Sequence, residues 1–192
     1  VDFELEMTSD QATGVIENIH ERHNYIVRKS VNLSKQTHII ASNVDQVLLI
    51  VTINNPVTMT SFIDRFLVTA EAYHIKAVLL FNKIDTYDDT ARETATLLQA
   101  CYSKIGYTCL EISAQNQINT ESVKALMKGK VNMISGHSGV GKSTLVNALD
   151  PDLNLRTASI SDQHQQGQHT TTFAEMFDLE FDAQIIDTPG IR

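Results

Sequence analysis

Cysteine is scarce in this chain, base is outnumbered by acid, and no long apolar run occurs. The two cysteines among 192 residues, Cys101 and Cys109, supply neither a disulfide framework nor a metal knuckle, and read as buried thiols of a reducing compartment. The longest uninterrupted apolar runs, residues 47–51 and 77–81, fall far short of the roughly 18 residues needed to cross a bilayer. The N-terminal stretch also lacks a basic-then-apolar leader pattern. Membrane insertion and secretion are therefore disfavoured, and a cytoplasmic protein is expected. With 15 basic against 23 acidic side chains the net charge is -8, which argues against a module that grips nucleic acid by general electrostatics. Apolar residues make up 42%, and eight glycines complete an ordinary globular composition, so one main core is expected and a second complete domain is not.

The charge is unevenly spread. Residues 1–14 carry Asp2, Glu4, Glu6 and Asp10 with no base, whereas residues 15–38 carry Arg22, Arg28, Lys29 and Lys35 against Glu17 and Glu21. That basic stretch, with Tyr25 and several histidines nearby, is either an RNA-facing surface or a solvated strand face. Residues 14–28 alternate in polarity and break at residues 21–24, which predicts two short antiparallel strands and a turn that continue an acidic strand over residues 1–7. This resembles half of a small β-barrel over residues 1–40. A chain that opens on Val1 inside a strand suggests a barrel begun upstream and truncated here.

From Asp45 the pattern changes to apolar runs alternating with amphipathic stretches, the mark of a mostly parallel sheet covered by helices on both faces. Strands are expected at residues 45–53, 77–81, 108–112, 131–135 and 183–186. Helices are expected at residues 61–74, 92–104 and 121–127, and a further one from Lys142. Residues 163–172 hold a glycine, three threonines, two histidines and four glutamines without periodicity, a long polar loop that invites a functional explanation.

Gly136-His137-Ser138-Gly139-Val140-Gly141-Lys142-Ser143 fits the phosphate-loop pattern G-x-x-x-x-G-K-[ST], directly after an apolar strand and directly before a helical stretch. Its backbone N–H groups would wrap a β-phosphate, and Thr144 follows on the first helical turn. Lys142 would reach the β- and γ-phosphates, and the Ser143 hydroxyl would bind Mg²⁺. Asn82-Lys83-Ile84-Asp85 stands at the carboxyl end of the strand 77–81, where ligands bind in open α/β sheets. Asp85 can accept from guanine N1–H and the 2-amino group, whereas adenine offers an unprotonated N1. Asn82 can bond the other edge of the base and hold neighbouring loops together, while the stem of Lys83 covers the ring. Ser113-Ala114 follows the next strand and would let a backbone N–H approach guanine O6. Asp187-Thr188-Pro189-Gly190 closes the last strand, with Asp187 on Mg²⁺ through water and the Gly190 N–H on the γ-phosphate. Within Gly167-Gln168-His169-Thr170-Thr171-Thr172, Thr171 is the expected Mg²⁺-binding switch threonine, with Thr170 as the alternative. His169 either orients the attacking water or simply faces solvent. Ile191 stands where a water-orienting glutamine usually follows the glycine.

In ordinary GTPases the phosphate loop comes first and the guanine motifs last, whereas here residues 82–85 and 113–114 precede residues 136–143. The domain, residues 41–192, therefore reads as circularly permuted. With this order, and with the stretches Arg28-Lys29-Ser30-Val31-Asn32-Leu33-Ser34-Lys35-Gln36-Thr37-His38-Ile39-Ile40-Ala41 and Gly167-Gln168-His169-Thr170-Thr171-Thr172, the chain closely resembles the bacterial ribosome-small-subunit-dependent GTPases of the RsgA (YjeQ) family. The resemblance implies an OB-fold barrel before the G domain and a zinc-binding domain after it. It also implies GTP hydrolysis to GDP and phosphate during late maturation of the 30S subunit, with 16S rRNA and ribosomal proteins as partners and no membrane. By the same resemblance Ile191 matches a hydrophobic replacement of the catalytic glutamine, and His169 the proposed catalytic histidine.

The chain stops at Arg192, so the zinc domain is expected to be missing, with no zinc bound here. Gly139 occupies the position where some permuted GTPases carry a potassium-binding asparagine, which gives no support to potassium activation. A monomeric, ribosome-stimulated GTPase is the leading expectation. The alternatives are an RNA-binding assembly module whose G domain switches with negligible hydrolysis, and an ATP-using P-loop kinase in which Asp85 is idle.

Overall fold

A computed structural model describes residues 2–8, 11–29, 37–153 and 175–187. The N-terminal part holds two antiparallel pairs: β1 (Asp2–Thr8) with β2 (Gln11–Asn18), and β3 (Tyr25–Lys29) with β4 (Thr37–Ser42). The sequence pairs residues 14–19 with residues 24–28; the structure instead gives each of these strands a different partner. Ordinary alternation specifies a strand without specifying its neighbour, which turn geometry and tertiary contacts decide. Asn24 fastens the second pair to the segment entering the main sheet, its amide donating to Val44 O and accepting from Val44 N, both at 2.8 Å.

The remainder builds a six-stranded sheet. In chain order come β5 (Gln46–Val51), α1 (Thr60–Ala72), β6 (Lys76–Phe81), α2 (Asp89–Ile105), β7 (Thr108–Glu111), α3 (Thr120–Met127), β8 (Val131–Ser135), α4 (Lys142–Leu149), β9 (Glu175–Leu179) and β10 (Ala183–Asp187). Across the sheet the order is β7-β6-β5-β8-β10-β9, parallel except for β9, which lies antiparallel to β10 at the edge. The sequence expectation has no strand at residues 175–179. An antiparallel edge strand needs only one apolar face, and Phe177 and Leu179 are buried between exposed Met176 and Asp178. The second helix begins earlier than expected because the Asp88 carboxylate accepts from Ala91 N at 2.8 Å, and it ends at Gly106, whose φ of 111° is left-handed.

Strands covered on both faces read as unbroken apolar runs, and their alternate side chains part to opposite sides. Val47, Leu49, Val51, Leu79 and Phe81 meet Ile63 and Leu67 of α1 and Ala91, Ala95 and Tyr102 of α2. Leu48, Ile50, Val78, Leu80 and Ile134 meet Val123 and Met127 of α3 and Leu145 and Leu149 of α4. The chain moves outward from β5 through β6 to β7, then returns past β5 to lay down β8, so strand order reverses between β5 and β8. Ligands of open α/β sheets bind outside the carboxyl ends of the strands at such a reversal.

Cys101 is exposed on α2 and Cys109 is half-buried in β7, so the expectation of buried thiols fails for Cys101. The buried positions of α2 are Ala91, Ala95 and Tyr102, and Cys101 precedes this stripe by one residue, which turns it about 100° toward solvent.

The amino end of the sheet is closed by a buried polar clamp. Gln46 and Asn132, both 0% exposed, face each other on β5 and β8, with Gln46 Nε2 donating to Asn132 Oδ1 at 2.7 Å. Asn132 Nδ2 in turn donates to the carbonyls of Met127, Lys130 and Gln184. Asn132→Ala leaves several buried groups without partners and is expected to lower stability by about 2–4 kcal/mol. The urea unfolding midpoint measures this.

Candidate nucleotide site

The loop between β8 and α4 must turn sharply and leave its N–H groups open. Gly136, Gly139 and Gly141 adopt φ of 147°, 81° and 100°, all in the region that favours glycine. At Gly136 a Cβ would come within 2.8 Å of Ile50 O, and at Gly141 within 2.5 Å of Asn82 Nδ2. The loop is thus threaded against two other strand ends. Val140 is fully buried under α4 and anchors the middle of the loop in the core. Ser138, Gly139 and Ser143 are exposed or half-buried, as are His137 and Thr144. The His137 ring lies 3.9 Å from that of Phe62 at the start of α1, tilted by 34°.

Lys142 Nζ donates to the carbonyls of Gly136 and His137, each at 2.7 Å, so the ammonium lies over the loop it follows. The structure shows these contacts where the sequence alone aims Lys142 at phosphates.

Asn82 joins the three loops at this end of the sheet. It is 1% exposed, its Nδ2 donates to Val140 O at 2.8 Å, and its Oδ1 accepts from Ala114 N at 3.0 Å. The phosphate-loop pattern, the Asn82–Asp85 turn and the Ser113-Ala114 turn are thereby brought together. Ser113 is itself buried; its backbone pairs with Ile118 in both directions, and its hydroxyl accepts from Asn116 N. Lys83, at φ 67°, donates from Nζ to Gly139 O at 2.8 Å and to Asn55 O at 2.6 Å. Asp85 is exposed in the short 3₁₀ turn Ile84–Thr86, free to meet a base edge.

Of the remaining expected site residues, Asp187 ends β10, which runs parallel to β8, so the chain leaves that strand at the same end of the sheet as the loop 136–141. Nothing of its side chain is described. His169, Thr170, Thr171 and Gly190 lie outside the described residues, as do Thr188 and Ile191.

Two features escaped the sequence. The loop after β5 doubles back on itself, with Thr52 Oγ1 donating to Pro56 O and Thr58 N to Thr52 O, and Pro56 lies against Gly139. Asn54-Asn55-Pro56, directly after the strand beside the reversal, was the available signal. Tyr87 is the other. It is 6% exposed, its hydroxyl donates to Asn82 O at 2.8 Å, and burial pushes its phenol up to about 12. It is therefore a protonated donor at neutral pH.

A cradle that a single Cβ would fill, exposed backbone at a helix start and hard oxygen donors such as the Ser143 hydroxyl suit a nucleotide phosphate with Mg²⁺. Gly141→Ala drives a methyl into Asn82 Nδ2. We expect it to lower stability by about 1–2 kcal/mol and guanine-nucleotide affinity at least about tenfold. Gly106→Ala carries comparable backbone strain with open space around it, so it should leave affinity unchanged. Melting and calorimetric titration separate the two.

Comparison with known proteins agrees with this geometry. The model of the family described as RsgA GTPase matches residues 19–192. The small ribosomal subunit biogenesis GTPase RsgA of Flavobacterium johnsoniae is 66% identical over 192 residues, covering 100% of this chain and 59% of that protein. Its namesake in Christiangramia forsetii is 64% identical over the same 192 residues, covering 61% of its length. The chain thus spans about three fifths of these curated relatives. Among solved structures, YjeQ from Thermotoga maritima is similar with a TM-score of 0.73 and 38% identity, over 93% of this chain and 55% of that one. YloQ, described as a circularly permuted GTPase, is similar with a TM-score of 0.69 and 27% identity, over 97% of this chain and 54% of its own. The parallel sheet, the order of its three loops and these matches place the chain in the RsgA GTPase family.

Proposed function

We propose that the chain is the GTP-binding and GTP-hydrolysing part of a cytoplasmic, monomeric factor that acts in late maturation of the small ribosomal subunit. The observation that carries this reading is the Asn82 amide, which holds the loop 136–143 and the Ser113-Ala114 turn against its own turn at the carboxyl end of one sheet. The names of the relatives supply the ribosomal context. Residues 41–192 form the G domain in this reading, and residues 1–40 belong to an OB-fold barrel, for which the antiparallel pairs β1–β2 and β3–β4 are the support.

Guanine recognition falls to Asp85, with Asn82 and Lys83 framing the base and the Ser113-Ala114 turn, whose Ala114 N–H is held by Asn82 Oδ1, on its O6 side. The backbone of Gly136, His137, Ser138, Gly139, Val140 and Gly141 receives the phosphates, with Lys142, Ser143 and Thr144 at the helix start. Lys142 then exchanges loop carbonyls for phosphate oxygens, a swap between acceptors that leaves no donor of the ammonium unmet. Ser143, Thr171 or Thr170, and Asp187 would hold Mg²⁺, which neutralises phosphate charge when bound. His169 orients the attacking water, since Ile191 offers no polar group, and the Gly190 N–H meets the γ-phosphate.

Turnover measured with and without small ribosomal subunits tests the proposal. Slow intrinsic hydrolysis should rise when subunits are added. His169→Ala should lower the stimulated rate by about a hundredfold while guanine-nucleotide binding persists. A wild-type chain that binds GTP on the subunit without measurable hydrolysis would instead favour an RNA-binding module with a nucleotide-dependent shape.

A further inference from the structure

Lys83 is a non-glycine residue with φ of 67°, a left-handed conformation that the surroundings must enforce. The two peptide carbonyls that bracket it are each held by a residue just beyond Asp85. Asn82 O accepts from the Tyr87 hydroxyl at 2.8 Å. Lys83 O accepts from Thr86 N at 2.9 Å and from Thr86 Oγ1 at 2.8 Å. The Tyr87 hydroxyl also accepts from Ile53 N at 3.3 Å, so the same phenol joins the turn to the loop whose Asn55 carbonyl receives Lys83 Nζ. Its ring is packed in the core between the sheet, α1 and α2, which fixes the hydroxyl from behind. Arg92 Nε donates to Tyr87 O at 3.2 Å, tying the residue to the start of α2.

We propose that Tyr87, assisted by Thr86, is a positioning residue for guanine recognition: the two hydroxyls lock the backbone around Lys83 and so set where Asp85 meets the base. This rests on the nucleotide reading above and adds residues outside the Asn82–Asp85 motif to its machinery. Neither residue needs to touch the nucleotide. Without the clamp the peptides around Lys83 can relax out of the left-handed region, which moves Asp85 and loosens the Lys83 bridge to Gly139 and Asn55 together. A carboxylate that accepts from two adjacent groups of the base is sensitive to such displacement.

The test compares GDP with IDP, whose hypoxanthine lacks the 2-amino group, by calorimetric titration with Mg²⁺. Wild type should prefer GDP by at least about tenfold, as befits hydrogen bonds to a charged carboxylate. Tyr87→Phe keeps the ring and removes the clamp; GDP affinity should fall about fivefold and IDP affinity less, so that the preference shrinks about threefold. Thr86→Val, at an exposed position, should shift the preference in the same direction even if Tyr87→Phe folds poorly. If both variants keep the wild-type preference, with or without a lower melting temperature, Tyr87 and Thr86 are merely structural and the proposal is overturned. A wild-type chain that fails to bind GDP, or binds it no better than IDP, overturns the nucleotide reading along with it.

Discussion

A single buried amide ties the functional edge of this protein together. Asn82 leaves β6 with its N–H on Val51 O, its carbonyl under the Tyr87 hydroxyl, its Nδ2 on Val140 O and its Oδ1 on Ala114 N. Each contact reaches a different segment: the end of β5, the turn that precedes α2, the loop before α4 and the turn after β7. In a site with almost no water around the side chain, losing either partner of the side-chain amide strands another polar group. The amide also dictates its surroundings. Gly141 is confined to glycine because Nδ2 occupies the space a Cβ would need.

The two ends of the sheet divide labour by chemistry. At the amino end, Gln46, Asn132 and Lys130 satisfy one another and the carbonyls at the end of α3, a network closed on itself. At the carboxyl end, glycines and short turns keep backbone groups open and Asp85 exposed. The apolar clusters on the two faces of the sheet are what let both ends coexist in so small a domain: each strand is pinned from above and below, so a loop can be bare of side chains without losing its position. Pro56 and Phe62, packed on Gly139 and His137, extend that support to the rim of the phosphate loop.

Much of this was legible in the sequence because the signals were local. The runs at 47–51 and 77–81 announce strands buried on both faces, and the glycine spacing before Lys142 and Ser143 announces a sharp turn between a strand and a helix. Even the bridging role of Asn82 follows from the position of its motif at a strand's carboxyl end. What was not legible depends on distant partners. The pairing of β1 with β2 and of β3 with β4 is a choice among equally alternating strands. Among its described side chains the edge strand β9 buries two, Phe177 and Leu179, too few to distinguish it from a loop. Tyr87 looks like an aromatic residue in a polar turn until Ile53 and the Asn82 carbonyl are placed around its hydroxyl.

The central claim is that the carboxyl end of the sheet recognises a guanine nucleotide through Asp85 on a turn held by Asn82. Calorimetric titration of GDP and ADP with Mg²⁺, on the wild type and on Asp85→Asn, tests it most directly. GDP should bind, ADP should give no detectable heat, and GDP affinity should collapse by about a hundredfold in Asp85→Asn, as expected when a charged acceptor is lost from paired hydrogen bonds. Equal affinities for GDP and ADP, or a variant that binds GDP as the wild type does, would contradict it.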